Sequence, residues 1–211
     1  AFPWRDTPHP FIQRRQPSSD GAVLFRSPAA GVLRTLVAGH VVQGRVIFPG
    51  AGFLELARAA GSAALSTTTG VSLRSVFFLQ PLPVEVPGLF VDCSVVDGQF
   101  KVRSTTEGDT EAWASDAAVA HCTGSLAPRA RDGLQRVDLT SARARMRLCG
   151  WPPYEMYFGF QMLGLQYGSD YRTLEQMWAD GRGQAAGRLR ARFSQQGTQV
   201  HPADLDDALC V

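Results

Sequence analysis

His40-Val-Val-Gln-Gly44-Arg-Val-Ile-Phe-Pro49-Gly50 is the stretch on which the fold turns. It runs into Phe53, Leu54, Leu56, Ala57, Ala60, Ala64 and Leu65, whose spacings of three and four predict a helix over residues 51–66. The other positions are mostly Ala, Gly and Ser, with Glu55 and Arg58 the only charges, so other structure is expected to wrap this helix. Pro49 suits a helix start, where the first amides have no intrahelical partner. Gly44 and Gly50 permit sharp turns. His40 then stands on a loop just upstream of a buried helix. Taken alone it reads as an ordinary surface-loop histidine; what sets it apart is its spacing to Gly44 and Pro49, HxxxGxxxxP.

The chain has 211 residues, enough for one domain or two small ones with a substantial core. A hydrophobic fraction of 45% with 19% charged residues fits a soluble globular protein, and a net charge of +2 argues against bulk electrostatic binding of nucleic acid. Cys93, Cys122, Cys149 and Cys210 show no CxxC and no zinc spacing, so free thiols in a reducing cytoplasm are expected and no metal site is. No signal peptide or membrane span is visible, because Glu55 and Arg58 interrupt the longest apolar region. With Ala1 at its start, the chain is expected to be a segment of a longer polypeptide.

In chain order, residues 1–20 read as an entry loop. Residues 22–26 and 32–37 read as short strands, and the helix follows them. An apolar run over 73–82 comes next, and then strands at 90–96 and 99–105 flank Asp97-Gly98, a strong hairpin signal. A further strand spans 117–126. One helix followed by several strands indicates an α+β protein. Residues 127–147 are rich in arginine and poor in large apolar groups, and read as a solvated linker or as a patch for an acidic partner. Beyond Trp151, residues 154–163 suit a short helix, and 173–179 and 184–193 read as strands around Asp180-Gly181. Asp204, Asp206 and Asp207 stand near a helix start, where acids are favourable.

The HxxxGxxxxP pattern resembles the active-site motif of the dehydratase domains of modular polyketide synthases. Three more stretches are similar to that family's landmarks, in order. His9-Pro10-Phe11-Ile12 resembles its HPLL-like lead-in. Gly164-Leu-Gln-Tyr167-Gly168-Ser169-Asp170-Tyr171 is similar to GYxYGPxF, with Leu165, Ser169 and Tyr171 in place of Tyr, Pro and Phe. His201-Pro202-Ala-Asp204-Leu-Asp206-Asp207-Ala-Leu-Cys210 is similar to HPxLLDxALQ, with Asp204 at an apolar position and Cys210 where Gln or His is usual.

The resemblance implies a double hotdog, two central helices each wrapped by a curved antiparallel sheet. Residues 1–126 would form the first hotdog, 127–150 a linker, and 151–211 a second, incomplete one. It implies His40 as base and Asp206 as acid. Gly50 would act as the oxyanion donor, and Tyr167 and Gly168 would help to place the substrate hydroxyl. Gly44, Pro49, His201, Pro202 and Cys210 would serve as framework. The substrate would be a 3-hydroxyacyl thioester on the phosphopantetheine arm of an acyl carrier protein, with no cofactor bound directly. Partners would be that carrier, neighbouring synthase domains and a second copy in the parent synthase's homodimer. A product-template domain, a double-bond isomerase and a non-catalytic structural domain share these residues and stay open. The apolar faces of Phe158, Leu163, Leu174 and Leu189 are expected to lie uncovered.

Overall fold

A computed structural model describes residues 9–17, 21–65, 70–106, 118–129, 138–148 and 152–211. Strands β1 (Arg14–Pro17) and β2 (Val23–Pro28) lead into helix α1 (Gly31–Val37), a small hairpin of β3 (Val41–Val42) and β4 (Arg45–Val46), and helix α2 (Gly50–Ala64). Then come β5 (Val71–Phe78), β6 (Leu89–Val96), β7 (Gln99–Thr106) and β8 (Val119–Pro128). Helix α3 (Leu139–Ala144), β9 (Arg147–Leu148), α4 (Pro153–Met162), β10 (Leu174–Ala179), β11 (Ala185–Leu189) and α5 (Pro202–Ala208) complete the order.

The first sheet, in the order β1-β2-β6-β7-β8-β5, is antiparallel throughout and wraps α2. Phe53, Leu56, Ala57 and Ala60 pack into one core with Phe25, Val91, Cys93, Val102, Cys122 and Leu126. The small residues of α2 are what let the sheet close on it. A Cβ on Gly61 would come within 2.9 Å of the Leu126 side chain. At the β6–β7 turn, Asp97 and Gly98 both take positive φ (47° and 71°), as a two-residue hairpin requires.

Residues 32–37 are not a strand, as their β-branched content suggests, but helix α1. Leu33, Leu36 and Val37 form its buried face at helical spacing, and Val32 points outward. Of the stretch read as linker, residues 138–148 are folded. Asp138 caps α3 by accepting from the Thr140 and Ser141 amides, and β9 joins the second sheet, in the order β11-β10-β9. Arg143 lies over the Trp178 ring at 4.7 Å, which accounts for one of the arginines there. Phe158 and Leu163 are exposed, whereas Leu174 is buried with Tyr157, Tyr167, Tyr171 and Ala203.

Glu55 is 2% exposed although its place on α2 reads as a polar face. It accepts from Arg58 Nε and Nη2 (both 2.8 Å), from His9 Nε2–H (3.1 Å) and from the Gln199 amide (2.6 Å). One carboxylate thus ties α2 to the chain entry and to the segment leading into α5. Burial by itself would raise its pKa, but these donors override it and hold Glu55 at about 2, below its ordinary 4.5. In the unfolded chain the group returns to the ordinary value. Its contribution to stability is therefore complete above about 4.5 and is lost as pH falls through about 2. Glu55→Gln should be less stable than the parent at pH 7 by urea denaturation, and the gap should narrow steadily between pH 5 and pH 2.5. A gap independent of pH would remove the carboxylate charge from this role.

Candidate active site

The HxxxGxxxxP spacing is that of a tight hairpin. Val41 pairs with Val46 and Val42 with Arg45, leaving Gln43 (φ 50°) and Gly44 (φ 77°) as the two turn residues. Both need positive φ, and glycine adopts it without a Cβ clash. Across the hairpin the Ile47 amide donates to the His40 carbonyl at 3.1 Å, and His40 Nδ1–H donates to the Ile47 carbonyl at 2.8 Å. Pro49 then caps α2, its carbonyl accepting from the Gly52 and Phe53 amides. Gly50 is the first helical residue, so its own amide has no intrahelical acceptor. The Phe78 ring covers it, within 3.5 Å of where a Cβ would stand.

The hairpin is paired a second time, with residues 164–168. The Gln43 amide donates to Gly164 O, Gln166 N–H to Val41 O, and Gly168 N–H to Gly39 O, at 2.7, 2.7 and 2.8 Å. This antiparallel register sets His40 opposite Tyr167, their rings 5.3 Å apart. Gln166 Oε1 also accepts from the Gly44 amide at 2.7 Å, fastening the turn itself. Close approach demands glycine on both sides: a Cβ on Gly168 would lie 3.1 Å from Gly39 Cα, and one on Gly39 would lie 2.9 Å from the Tyr171 ring.

The Gly168 amide is engaged by the Gly39 carbonyl. Tyr171, which stands where the resembled motif has Phe, is 1% exposed and donates its hydroxyl to the Leu36 carbonyl at 3.0 Å. The extra oxygen thus has a partner in α1. Ser169 opens the one-turn 3-10 helix Ser169–Tyr171.

His201 and Pro202 start α5: His201 Nδ1 accepts from the Ala203 amide, Nε2–H donates to Gln196 Oε1, and Pro202 takes the first helical position. His9 repeats the device, with Nδ1 accepting from the Phe11 amide and Nε2–H donating to Glu55. On α5, Asp204 pairs with Arg192 Nε at 2.5 Å, and Asp207 is wholly buried. Asp206 projects toward the hairpin, its Oδ2 3.9 Å from His40 Nε2. That oxygen is buried with no hydrogen-bond partner among the described residues. Cys210 donates its S–H to the Asp206 main-chain carbonyl at 3.3 Å, and burial with the charge of Asp206 pushes its pKa up to about 11.

Burial raises the pKa of Asp206 above its ordinary value, and the charge of Asp207 acts in the same direction against the opposing pull of His40 and Tyr167. Burial likewise raises Tyr167, with the charge of Asp206 adding to it. The site thus holds an acid biased toward its protonated form beside an imidazole nitrogen that the Ile47 bond leaves bare. Among the described residues there is no cluster of three or more His, Cys, Asp or Glu that could hold a metal ion, and no helix is long and apolar enough to cross a membrane. The roles of Gly39, Gln166, Phe78 and Asp207 were invisible in the sequence. Gln166 carries a weak signal through its alternation with Tyr167, but none of the other three announces its neighbour.

An antiparallel sheet wrapped on α2, and a second helix-and-sheet layer that brings Asp206 to 3.9 Å from His40, give the class: a double-hotdog protein. A family model for the polyketide synthase dehydratase domain matches residues 9–104. The chain is 34% identical over 189 residues to polyketide synthase ThaG of Burkholderia thailandensis, covering 82% of this chain and 3% of the relative. It is 34% identical over 210 residues to the mycoketide-CoA synthase of Mycobacterium tuberculosis, covering 92% of this chain and 5% of that protein. The dehydratase domain from the CurF module of curacin polyketide synthase superposes with a TM-score of 0.78 at 24% identity, over 96% of this chain and 74% of the other. The dehydratase domain of PpsC from Mycobacterium tuberculosis does so at 0.76 and 20% identity, over 96% and 72%. Residues 9–104 belong to the polyketide synthase dehydratase domain family.

The hydrogen bonds assign opposite neutral tautomers within one protein. Nitrogen-15 NMR at a pH where the imidazoles are neutral should find the proton on Nδ1 in His40 and on Nε2 in His9 and His201. A proton on His40 Nε2 would contradict the geometry and leave it no lone pair facing Asp206.

Proposed function

We propose that this protein removes water from a 3-hydroxyacyl thioester to give the 2-enoyl thioester, in polyketide assembly. The observation that carries this reading is the buried Asp206 Oδ2, without a hydrogen-bond partner among the described residues and 3.9 Å from His40 Nε2. Neither group is consumed by a hydrogen bond to the other, and both face the same space. His40 Nε2 takes the proton from C2 of the substrate, and the electron pair becomes the C2–C3 double bond. The C3–O bond breaks as Asp206 gives its proton to the departing oxygen, and water leaves. The step ends with imidazolium beside carboxylate, a charge pair favoured at this separation. Passing one proton from His40 to Asp206 restores the starting state. The Gly50 amide, aided by the dipole of α2, is the donor for the thioester oxygen as enolate character develops. Tyr167 orients the acid.

This assignment predicts activity that falls at high pH as Asp206 ionises, above the usual carboxylate range. A thioester on the phosphopantetheine arm of an acyl carrier protein is the substrate form that the family relationship suggests, with neighbouring synthase domains as its context. Supporting the pair, a His-to-Phe and an Asp-to-Asn variant of the CurK dehydratase are each described as inactive.

The test is incubation with 3-hydroxyacyl carrier-protein thioesters and detection of water loss by mass spectrometry. His40→Ala and Asp206→Asn should each slow dehydration by at least about a hundredfold while keeping the fold. Asp204→Asn should stay within about tenfold of the parent, since its carboxylate serves Arg192. Near-normal dehydration by a folded His40→Ala would end the proposal. Shift of a double bond without water loss would point to an isomerase, and cyclised product to a product-template domain.

A further inference from the structure

Behind the acid stands a second carboxylate that the mechanism above does not use. Asp207 is 0% exposed, and its Oδ2 collects four donors. These are Tyr157 Oη–H from α4 at 2.8 Å, the Thr173 amide, the Thr173 hydroxyl at 2.7 Å, and the Leu174 amide at the start of β10 at 3.1 Å. Tyr157 Oη in turn accepts from the Leu174 amide at 3.1 Å. A shell made only of donors suits an acceptor-only, ionised carboxylate. Its Oδ1 is buried with no partner among the described residues, so part of the charge is left uncompensated where screening is weak.

We propose that Asp207 is a positioning residue for the Asp206 acid: it anchors α5 to α4 and β10 so that Asp206 faces His40, and it keeps a fixed negative charge directly behind that acid. Both effects follow from adjacency on a short helix. The anchor sets the rotation of α5 about its axis, and that rotation decides which of Asp204, Asp206 and Asp207 meets the hairpin. The charge makes a second one on Asp206 more costly, so Asp206 holds its proton to higher pH, in the same direction as its burial. The other titratable groups around Asp206 are His40 from the hairpin, Tyr167 and Tyr171 from the segment paired with it, and Cys210 on the last turn. Asp204 is neutralised by Arg192. Of these, His40 and Tyr167 favour the ionised form of Asp206, so the site needs an opposing influence if Asp206 is to remain a donor.

The meaning of this inference rests on the dehydration reading, but its first test does not. The side-chain carboxyl carbon of Asp206, labelled with carbon-13 and assigned by its loss in Asp206→Asn, is titrated by NMR in the parent, in Asp207→Asn and in Asp207→Ser. In whichever neutral variant folds, the Asp206 midpoint should drop by about one pH unit, the scale of a nearby buried charge. An unchanged midpoint overturns the proposal, as does failure of both neutral variants to fold, which would leave Asp207 with a folding role alone. In the dehydration assay the alkaline limb of kcat should move down in pH with the NMR midpoint. A parent without dehydration would refute the proposed function and leave the NMR result to decide on Asp207.

Discussion

Three main-chain hydrogen bonds join residues 39–43 to residues 164–168, and the site depends on them. They are short, and they set register: a shift of one residue would turn Tyr167 away from His40 and put a neighbour in its place. Each contributes only about 1 kcal/mol net, but the three act together along one seam. The two layers therefore meet in one alignment. Gly39 and Gly168 are the condition for it, because a Cβ on Gly168 would press on Gly39 Cα and one on Gly39 would press on the Tyr171 ring.

Around this seam, buried polar groups act as fasteners. Glu55 holds α2 to the chain entry and to the segment before α5; Asp207 holds α5 to α4 and β10; the Tyr171 hydroxyl reaches α1. Each is well supplied with partners, as buried polar atoms must be if they are not to weaken the fold. Asp206 is the exception, with a buried oxygen that has no hydrogen-bond partner among the described residues. The proposed dehydration rests on this buried acid with spare hydrogen-bonding capacity, held beside a histidine whose other nitrogen is tied down.

The departures from the family pattern are absorbed by local structure. Tyr171 finds a carbonyl for its hydroxyl, Asp204 finds Arg192, and Cys210 turns to the main chain of its own helix. None of these residues intrudes between His40 and Asp206, so the pattern changes without emptying the site.

The sequence by itself determined what depends on neighbours along the chain. The period of residues 53–65 marked α2, Asp97-Gly98 marked the β6–β7 hairpin, and the HxxxGxxxxP spacing marked a turn ahead of a helix. These are readable because helical period, positive φ and proline's missing amide act over a few residues. Local signals also misled: the β-branched run at 32–37 forms α1 because Leu33, Leu36 and Val37 find a core to fill. How Asp206 is turned toward His40, why Gly168 gives up its amide, and why Glu55 is buried were decided only in the tertiary structure. Each depends on a partner more than thirty residues away, and no local pattern records a contact that exists only after the chain has folded back on itself.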